Sequence, residues 1–306
     1  YENTRGLQRK IAKGTARIIR ATISRGFNYW HVSFTVYERK RVPETHRNPG
    51  SVVGVDMGVG DHIIVAATPN GDEVMRRGLP TTISDHDKRI RHLQRKMSRK
   101  RGPDKRTKTT PSNRWVRANN QVRKYHNTMA NVRRDLAAKA AHDLARDYAT
   151  VVIEDLNVRA MMVRGGAYKR GLNRAIAQAS FADLRRRITY KTRWNGGTVL
   201  VADRWFPSSK TCSRCGEVKS KLSLSEREYM CYRCGVVVDR DLNAATNLAK
   251  LAVPKSGVSS IDRTGSSPGM GRGGVGKTSS LSGELASADE ASMVRKDLSG
   301  CKAGTR

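Results

Sequence analysis

The chain has 306 residues, of which 59 are Lys or Arg and 27 are Asp or Glu, so its formal net charge is +32. It has no apolar run of 18 or more residues, which excludes a membrane-spanning helix on sequence grounds, and 37% of its residues are hydrophobic, enough for a packed core. So large a positive excess is usually balanced by a polyanion, and it predicts a nucleic-acid partner. Because ribosomal proteins, chromatin proteins and nucleases share this property, the charge leaves the chemistry open.

Cysteine usage and the start of the chain bear on its cellular context. Four of the five cysteines stand in two C-x-x-C pairs, which suits a metal site in a reducing compartment better than disulfides. No positively charged and then apolar signal segment opens the chain, so we expect a cytoplasmic protein. Since the first residue is Tyr1 rather than Met, we also expect that an upstream part of a longer protein is missing.

The predicted elements begin with a β-hairpin over residues 16–36. Apolar and polar residues alternate in both of its arms, around a turn at 25–28. Two strands alone cannot bury a face, so we expect the hairpin to belong to a sheet whose other strands lie upstream. A polar, proline-containing linker is predicted over 38–50.

Three strands and a helical hairpin follow. The strands are predicted at 51–56, 62–67 and 71–75. The first of them is a short apolar run, which is typical of a strand buried on both faces. The helical hairpin is predicted over 84–148 with a break at Gly102-Pro103, and its second arm carries apolar residues at helical spacing.

After the hairpin, strands and helices alternate. The predicted order is a strand at 150–154, a basic loop at 159–174, a helix at 175–194, a strand at 198–202, a cysteine module at 208–238 and a helix at 241–252. From residue 254 the chain is rich in Gly and Ser without a sustained apolar period, which predicts a disordered tail. The alternation as a whole favours an α/β layer fold.

The most specific motif is the pair of C-x-x-C turns. Fifteen residues separate Cys212 and Cys215 from Cys231 and Cys234, which is the spacing of a four-thiolate zinc ribbon. Each turn brings two sulfurs to one tetrahedral ion, and the glycine after each second cysteine lets the turn close. The alternative is a redox dithiol beside an unrelated pair. Because four thiolates leave no open coordination position, the expected Zn²⁺ is structural.

Three carboxylates stand at the ends of predicted core elements. Asp56 ends the apolar run 52–55, Glu154 ends the run 151–153, and Asp241 begins the last helix. An ionised group at such a position is costly unless a cation meets it. A two-metal phosphodiesterase needs carboxylates placed in this way, to hold two divalent ions about 4 Å apart. Each residue also has an ordinary alternative role, as a turn cap, an arginine partner or a helix N-cap.

Three other features carry weaker signals. Gly271–Thr278 fits the G-x-x-x-x-G-K-T pattern of a P-loop. The surrounding polar tail supplies neither the strand nor the helix that a P-loop needs, so we expect no nucleotide there. Cys301 in the same tail is expected to have no metal role. For Trp205 and Phe206 the sequence leaves two interpretations open, stacking on a base and packing in the core.

Four strings within residues 51–250 resemble the transposon-encoded TnpB (OrfB) family, relatives of the type V CRISPR nucleases. They are GVDMGVGDHIIVAA, VVIEDLNV, DRWFPSSKTCSRCG and CYRCGVVVDRDLNAATNLA. The resemblance implies an α/β, RNase H-like (RuvC-type) nuclease domain with a helical insertion and an inserted four-cysteine zinc ribbon that binds target nucleic acid. It also implies that Asp56, Glu154 and Asp241 form a catalytic triad that binds Mg²⁺, as two ions. The D-x-N-A-A string favours Asp241 over Asp239.

The resemblance further implies an RNA-guided DNA endonuclease, associated with the nucleoid of a prokaryote, whose partners are a guide RNA and a DNA target. Between residues 85 and 124 there are 15 Lys or Arg against 3 Asp, too one-sided for i,i+4 ion pairs. We therefore expect contacts with the phosphates of a guide–target duplex, with a solvated helix face as the alternative. The residues assigned to these contacts are Arg89, Arg95, Lys96, Arg99, Lys100, Arg101, Lys105 and Arg106, together with Lys210 in the cysteine module.

The amino-terminal region departs from the family pattern. Members carry a β-barrel wedge domain with an inserted helical domain before the nuclease, whereas only about 50 residues precede Asp56 here. The expected domains are the last wedge strands and a linker (1–50), the nuclease core (51–207), the zinc ribbon (208–238), the last nuclease segment (239–253) and the tail (254–306). Two alternatives stay open, a catalytically idle nucleic-acid-binding remnant and a DNA-strand-transfer transposase, which also uses three carboxylates.

Overall fold

The computed structural model describes residues 3–25, 30–39, 41–163, 165–223, 226–253 and 293–298. The chain divides into two compact units. The smaller one contains the described residues up to 39 together with 293–298, and the larger one contains residues 41–253.

The smaller unit begins with a helix that the sequence pattern did not predict, α1 (Arg5–Ala12), which buries none of its residues. The predicted β-hairpin is confirmed. Its arms are β1 (Ala16–Arg25) and β2 (Trp30–Glu38), which pair antiparallel from Ala16 opposite Glu38 to Arg25 opposite Trp30. The residues of the predicted turn after Arg25 lie outside the described residues.

The larger unit is built on a mixed five-stranded sheet, and the five strands predicted for this region are confirmed. They are β3 (Val52–Asp56), β4 (Ile64–Ala67), β5 (Glu73–Arg77), β6 (Thr150–Glu154) and β7 (Thr198–Ala202). The order across the sheet is β5-β4-β3-β6-β7. Strands β3, β6 and β7 run parallel, whereas β4 pairs antiparallel with both β3 and β5.

Helices connect these strands. They are α2 (Thr81–Ser98), α3 (Asn113–Asp147), α4 (Val158–Met161), α5 (Ala167–Ala179), α6 (Phe181–Trp194) and α7 (Arg240–Lys250). The predicted helical hairpin is α2 and α3, and Ser112 caps α3 by accepting a hydrogen bond from the Trp115 backbone N–H. None of the described helices is long and apolar enough to cross a membrane.

The prediction of a basic loop over 159–174 is wrong, because α4 and the first eight residues of α5 occupy most of that range. Leu172 and Ile176 are four residues apart and pack against the sheet core, but the basic residues between and before them hide this helical period in the sequence. Ser180 then takes a left-handed backbone conformation (φ 53°) and separates α5 from α6. The sequence pattern predicted one continuous helix there.

The two faces of the sheet are covered by different helices. On β3, Val53 and Val55 belong to a core cluster with residues of α3, α5 and α6, whereas Gly54 between them lies against α7. Because side chains alternate between faces along a strand, Asp56 projects on the α7 side. The same alternation on β6 places Val152 against Leu248 of α7 and Glu154 on that side as well.

Residues 41–50, predicted as part of a polar linker, contact the end of α3. The ring Nε2 of His46 lies 3.1 Å from the Ala145 carbonyl oxygen, and Arg47 forms an ion pair of 2.7 Å with Asp147. This part of the predicted linker therefore belongs to the larger unit and packs at the end of its longest helix.

The cysteine module of the larger unit contains two short strands, β8 (Glu228–Met230) and β9 (Val237–Asp239), which pair antiparallel.

In the smaller unit, β10 (Met293–Leu298) pairs antiparallel with β2. A strand of that sheet thus comes from downstream of the hairpin, which the sequence pattern did not predict. An unpaired strand edge offers free backbone groups to any extended segment. β10 also lies within the range predicted to be a disordered tail. Gly271–Thr278 and Cys301 lie outside the described residues.

Candidate functional site

Two of the three predicted catalytic carboxylates lie side by side at one edge of the sheet. Asp56 and Glu154 are the last residues of β3 and β6, which are adjacent and parallel with Val55 opposite Ile153. Parallel strands end at the same edge of a sheet, and both side chains project on the α7 side. The sequence therefore folds so that two distant carboxylates become neighbours, each of them half-buried.

The third carboxylate reaches the same place because α7 packs unusually close to β3. A Cβ atom on Gly54 would lie 2.1 Å from the Ala245 carbonyl oxygen and 2.3 Å from the Ala249 nitrogen. Only a residue without a side chain permits this approach. Asp241 is in the first turn of the same helix, one turn before Ala245, and its charge acts directly on Asp56.

Burial raises the pKa values of two of the carboxylates at this edge, and repulsion between like charges adds to the effect at one of them. Burial raises the pKa of Asp56 well above its ordinary value, and the carboxylates of Glu154 and Asp241 raise it further, while Arg240 acts in the opposite direction. Burial likewise raises the pKa of Glu154, opposed by a hydrogen bond from Ser208. Carboxylates that resist ionisation in this way are favourable sites for a divalent cation, which removes the repulsion.

The acidic residues adjacent in sequence have other partners. Asp155 accepts hydrogen bonds from Arg185 (2.8 Å) and Arg204 (2.7 Å), and these bonds hold its pKa below the ordinary value. Asp239 caps α7 by accepting from the backbone N–H groups of Asp241 and Leu242. Although burial raises the pKa of Asp239, these bonds and Arg76 hold it below its ordinary value. The surroundings thus favour Glu154 and Asp241 over their neighbours as cation ligands.

The three carboxylates are gathered less tightly than the four cysteines. Within the described residues, only the four cysteines form a group of three or more His, Cys, Asp or Glu whose ligand atoms all lie within 4.8 Å of one another. The oxygens of Asp56, Glu154 and Asp241 are therefore spaced more widely.

The four cysteines meet as their spacing predicts. Cys212 and Cys234 have their sulfurs 3.7 Å apart, and those of Cys215 and Cys231 are 3.6 Å apart. A tetrahedral Zn²⁺ with Zn–S bonds of about 2.3 Å places its sulfurs about 3.8 Å from one another. The donor set and its dimensions therefore fit Zn²⁺.

The two C-x-x-C turns are built alike. The backbone N–H of Gly216 donates to the Cys212 carbonyl (2.9 Å), and that of Gly235 donates to the Cys231 carbonyl (3.0 Å). Both glycines have a positive φ, +78° and +70°, in the left-handed region that favours glycine. Between the turns, Tyr229 is fully buried and its hydroxyl donates to the Lys210 carbonyl at 3.1 Å.

Two asparagines that sequence reasoning missed join the ribbon to α7. Asn243 accepts from the Ser213 backbone N–H (2.9 Å) and donates to the Thr211 carbonyl (2.7 Å). Asn247, one turn later, donates to the carbonyls of Ser208 (2.8 Å) and Thr211 (2.6 Å). Both are buried. Their i,i+4 spacing in an otherwise apolar helix face was the available signal, because a buried amide needs partners.

The basic residues predicted to contact nucleic acid lie on α2 and in the loop before α3. All eight at positions 89–106 are exposed except Lys100, which is half-buried, and none forms an ion pair with another described residue. A groove of about 420 Å³ between α2 and α3 is lined by Arg89, Lys96 and the ring of Tyr125 among others. Lys210 differs from these residues, since its ammonium group donates to the Ser220 carbonyl at 3.2 Å.

Of the two interpretations of the Trp205-Phe206 pair, core packing applies to Phe206, and Trp205 remains available for stacking on a base. Phe206 packs against Val152, Ala202 and Leu248 beneath α7. Trp205 is 85% exposed, so its indole ring is accessible for stacking.

Two family models match the chain. Residues 34–164 match a model described as "Probable transposase" (OrfB of IS605). Residues 181–248 match a model described as the TNB domain of Cas12f1-like proteins. The first contains Asp56 and Glu154, and the second contains the four cysteines and Asp241.

Individual proteins are similar over different spans. A Mycobacterium tuberculosis protein provisionally named an RNA-guided DNA endonuclease is 33% identical over 89% of this chain, and the chain spans 59% of that relative's length. A TnpB-like protein of Acanthamoeba polyphaga mimivirus is 34% identical over 48% of this chain and 28% of its own length. The cryo-EM structure of the Cas12f1–sgRNA–target DNA complex has a TM-score of 0.41 and 20% identity, covering 74% of this chain and 55% of that one.

Proposed function

Because this chain belongs to the TnpB (OrfB) family of transposon-encoded proteins, we propose that it is the nuclease-bearing part of an RNA-guided, Mg²⁺-dependent DNA endonuclease acting in the cytoplasm. The chain spans little more than half of the first relatives it matches. The proposal for guidance therefore extends from those relatives' names to this chain, whereas the proposal for cutting also rests on its own residues.

One observation carries the proposal for cutting. Three carboxylates from segments far apart in sequence, Asp56, Glu154 and Asp241, gather on one side of one sheet edge, and burial and mutual repulsion raise the pKa of Asp56. An ordinary turn cap or arginine partner would not produce this. The mixed sheet, with helices on both faces and carboxylates at the ends of two adjacent parallel strands, supports the RNase H-like (RuvC-type) assignment.

In this proposal Asp56, Glu154 and Asp241 hold two Mg²⁺ ions, whose oxygen-ligand preference the carboxylates satisfy. When bound, the two ions stabilise the attacking and leaving oxygens of the phosphodiester bond being cut. Asp239 and Arg76 keep the first turn of α7 in place through the cap and the 3.1 Å ion pair between them. They thereby determine the position of Asp241 in that turn.

The remaining features have supporting roles. The zinc ribbon, bound to α7 through Asn243 and Asn247, would present the target strand to the carboxylates. The exposed cations on α2 and the following loop would contact phosphates of a guide–target duplex. Trp205 offers an exposed ring beside the site for stacking on a base.

Replacing Asp56 by Ala tests the assignment. We expect Mg²⁺-dependent cleavage of a fluorescent DNA oligonucleotide to fall on the order of 10³-fold, because a loss of several kcal/mol of metal-supplied stabilisation lowers the rate tenfold for each 1.4 kcal/mol. The matched control is Asp135→Ala, which removes an exposed carboxylate paired with Lys139 on α3 (2.8 Å) and should leave the rate unchanged. Wild-type cleavage by Asp56→Ala would exclude the triad.

The same preparation separates the alternatives. RNA that co-purifies with the chain, measured beside cleavage of single-stranded and duplex DNA, distinguishes a guided enzyme from an unguided one that cuts weakly and without sequence preference. A chain that retains RNA but never cuts is the idle remnant. The transposase alternative, favoured by the description of the family model that matches residues 34–164, predicts joined donor and target DNA in a strand-transfer assay.

A further inference from the structure

The hydroxyl of Ser208 is directed at one of the three carboxylates. Ser208 lies between β7 and the first C-x-x-C turn and is 5% exposed. Its Oγ donates a hydrogen bond of 2.5 Å to Oε1 of Glu154. In the described part of the chain the carboxylate of Glu154 accepts no other hydrogen bond, so this one contact restricts its orientation.

The Ser208 backbone is itself fixed from two sides. Its N–H donates to the Phe206 carbonyl (2.9 Å), and Phe206 packs in the core beside Leu248. Its carbonyl accepts from Asn247 of α7 (2.8 Å). Since both neighbours belong to the packed interior, the hydroxyl reaches Glu154 from a rigid support rather than from a mobile loop.

A carboxylate at a buried sheet edge needs such a support. A ligand side chain with its orientation already fixed loses less conformational freedom when it binds a cation, and residues that orient metal ligands affect affinity strongly for this reason. The bond to Oε1 leaves the second oxygen, Oε2, available on a side chain whose direction is already set.

We propose that Ser208 is the positioning residue of Glu154 and holds that carboxylate ready for a divalent cation. This inference rests on the proposed function, because it needs a cation at the carboxylates. It adds a dependence on the ribbon, since Ser208 lies four residues before Cys212 and shares Asn247 with Thr211 at the start of the first turn.

The test measures cation binding rather than cleavage. Mn²⁺ is titrated into the full, zinc-loaded chain, and free Mn²⁺ is followed by electron paramagnetic resonance. We expect Ser208→Ala to weaken Mn²⁺ binding by about 10- to 100-fold. The matched control is Ser209→Ala, which removes the hydroxyl of the next residue in the same loop. It should bind Mn²⁺ like the wild type.

A second pair of variants removes the effect of side-chain size. Ser208→Thr keeps the hydroxyl, and Ser208→Val has the same shape without it. We expect Ser208→Thr to bind Mn²⁺ more tightly than Ser208→Val at equal zinc content. Equal affinities within both pairs would overturn the inference and leave the proposed function standing. A wild-type chain that binds Mn²⁺ no better than Asp56→Ala would overturn both.

Discussion

The four-cysteine ribbon and the carboxylate site both bring candidate metal ligands together, but by opposite means. In the ribbon all four cysteines come from residues 212–234, and each turn is closed by its own backbone hydrogen bonds. At the carboxylate site the three side chains come from β3, β6 and α7, which are far apart in sequence. The first cluster is held by short-range geometry, and the second by the packing of the whole larger unit.

The difference has a thermodynamic meaning. Because four sulfurs lie within 4.8 Å of one another, we expect folding of the ribbon to be coupled to binding of zinc. At the carboxylate site, like charges raise the pKa of Asp56, and packing of the sheet and α7 must offset their repulsion. We expect a bound divalent cation to reduce that repulsion.

The largest expected effect is loss of the ribbon on Cys212→Ser. Binding of zinc contributes about 10–16 kcal/mol to the folding of small zinc domains, and Cys212 is buried among the other ligands. We expect bound zinc to disappear and the ribbon to become sensitive to protease, while the sheet stays resistant. The measurements are zinc content and limited proteolysis. Cys301→Ser is the control, and equal zinc loss in both variants would contradict this view of the ribbon.

A smaller but still large effect is expected for Gly54→Val. The new side chain would overlap the backbone of α7, and overpacking of this kind costs about 3 kcal/mol. Denaturant unfolding should show that loss, with zinc content retained at low denaturant. Gly71→Val is the steric comparison, because no atom lies within 4 Å of the Cβ position there. Any loss of stability in that variant comes from its backbone φ of +99° and not from overlap with neighbouring atoms. A silent Gly54→Val would mean that α7 does not depend on this contact.

The smallest effect is a stabilisation by Asp56→Asn in the absence of divalent cations. Because the folded-state pKa of Asp56 is raised, the folded wild type binds more protons than the unfolded chain, and its stability falls as pH rises through that pKa. The neutral variant lacks this fall. Its Tm should exceed that of the wild type at neutral pH but not in acid, by about 2–4 °C for each kcal/mol.

Added Mg²⁺ should reverse the order of the two proteins, because a cation that binds only the folded wild type stabilises it. The control Asp135→Asn loses an exposed i,i+4 pair with Lys139, worth about 0.3–0.5 kcal/mol, and should show neither the pH dependence nor the reversal. If Asp56→Asn behaves like this control, the carboxylates are not under mutual repulsion.

The local part of this molecule could be predicted from its sequence more fully than the non-local part. The ribbon follows from the spacing of its cysteines, and the five strands follow from short apolar runs. The split of α5 from α6 at Ser180 could not be predicted, because a serine in the left-handed region has no sequence signature. The downstream partner of β2 was missed for a similar reason, since an edge strand does not specify which segment pairs with it.

The candidate site shows the same difference between local features, which the sequence predicts, and non-local contacts, which it does not. Asp56, Glu154 and Asp241 could be selected because each ends or begins an apolar element, but their nearness to one another depends on which strands are adjacent. The contact from Ser208 to Glu154 joins residues 54 positions apart. The roles of Asn243 and Asn247 likewise appear only when the ribbon lies on α7. The assignment of Asp56, Glu154 and Asp241 to catalysis stays a prediction.

The missing side chain at Gly54 also bears on the geometry of the proposed cation site. Because α7 touches the β3 backbone there, a methyl group at position 54 would move the helix that carries Asp241 away from the strand that carries Asp56. If the carboxylates bind cations as we propose, that shift would favour larger ions such as Ca²⁺, which takes oxygens at about 2.3–2.6 Å, over Mg²⁺, which takes them at about 2.0–2.1 Å. In that proposal the backbone of a strand contributes to the choice of cation.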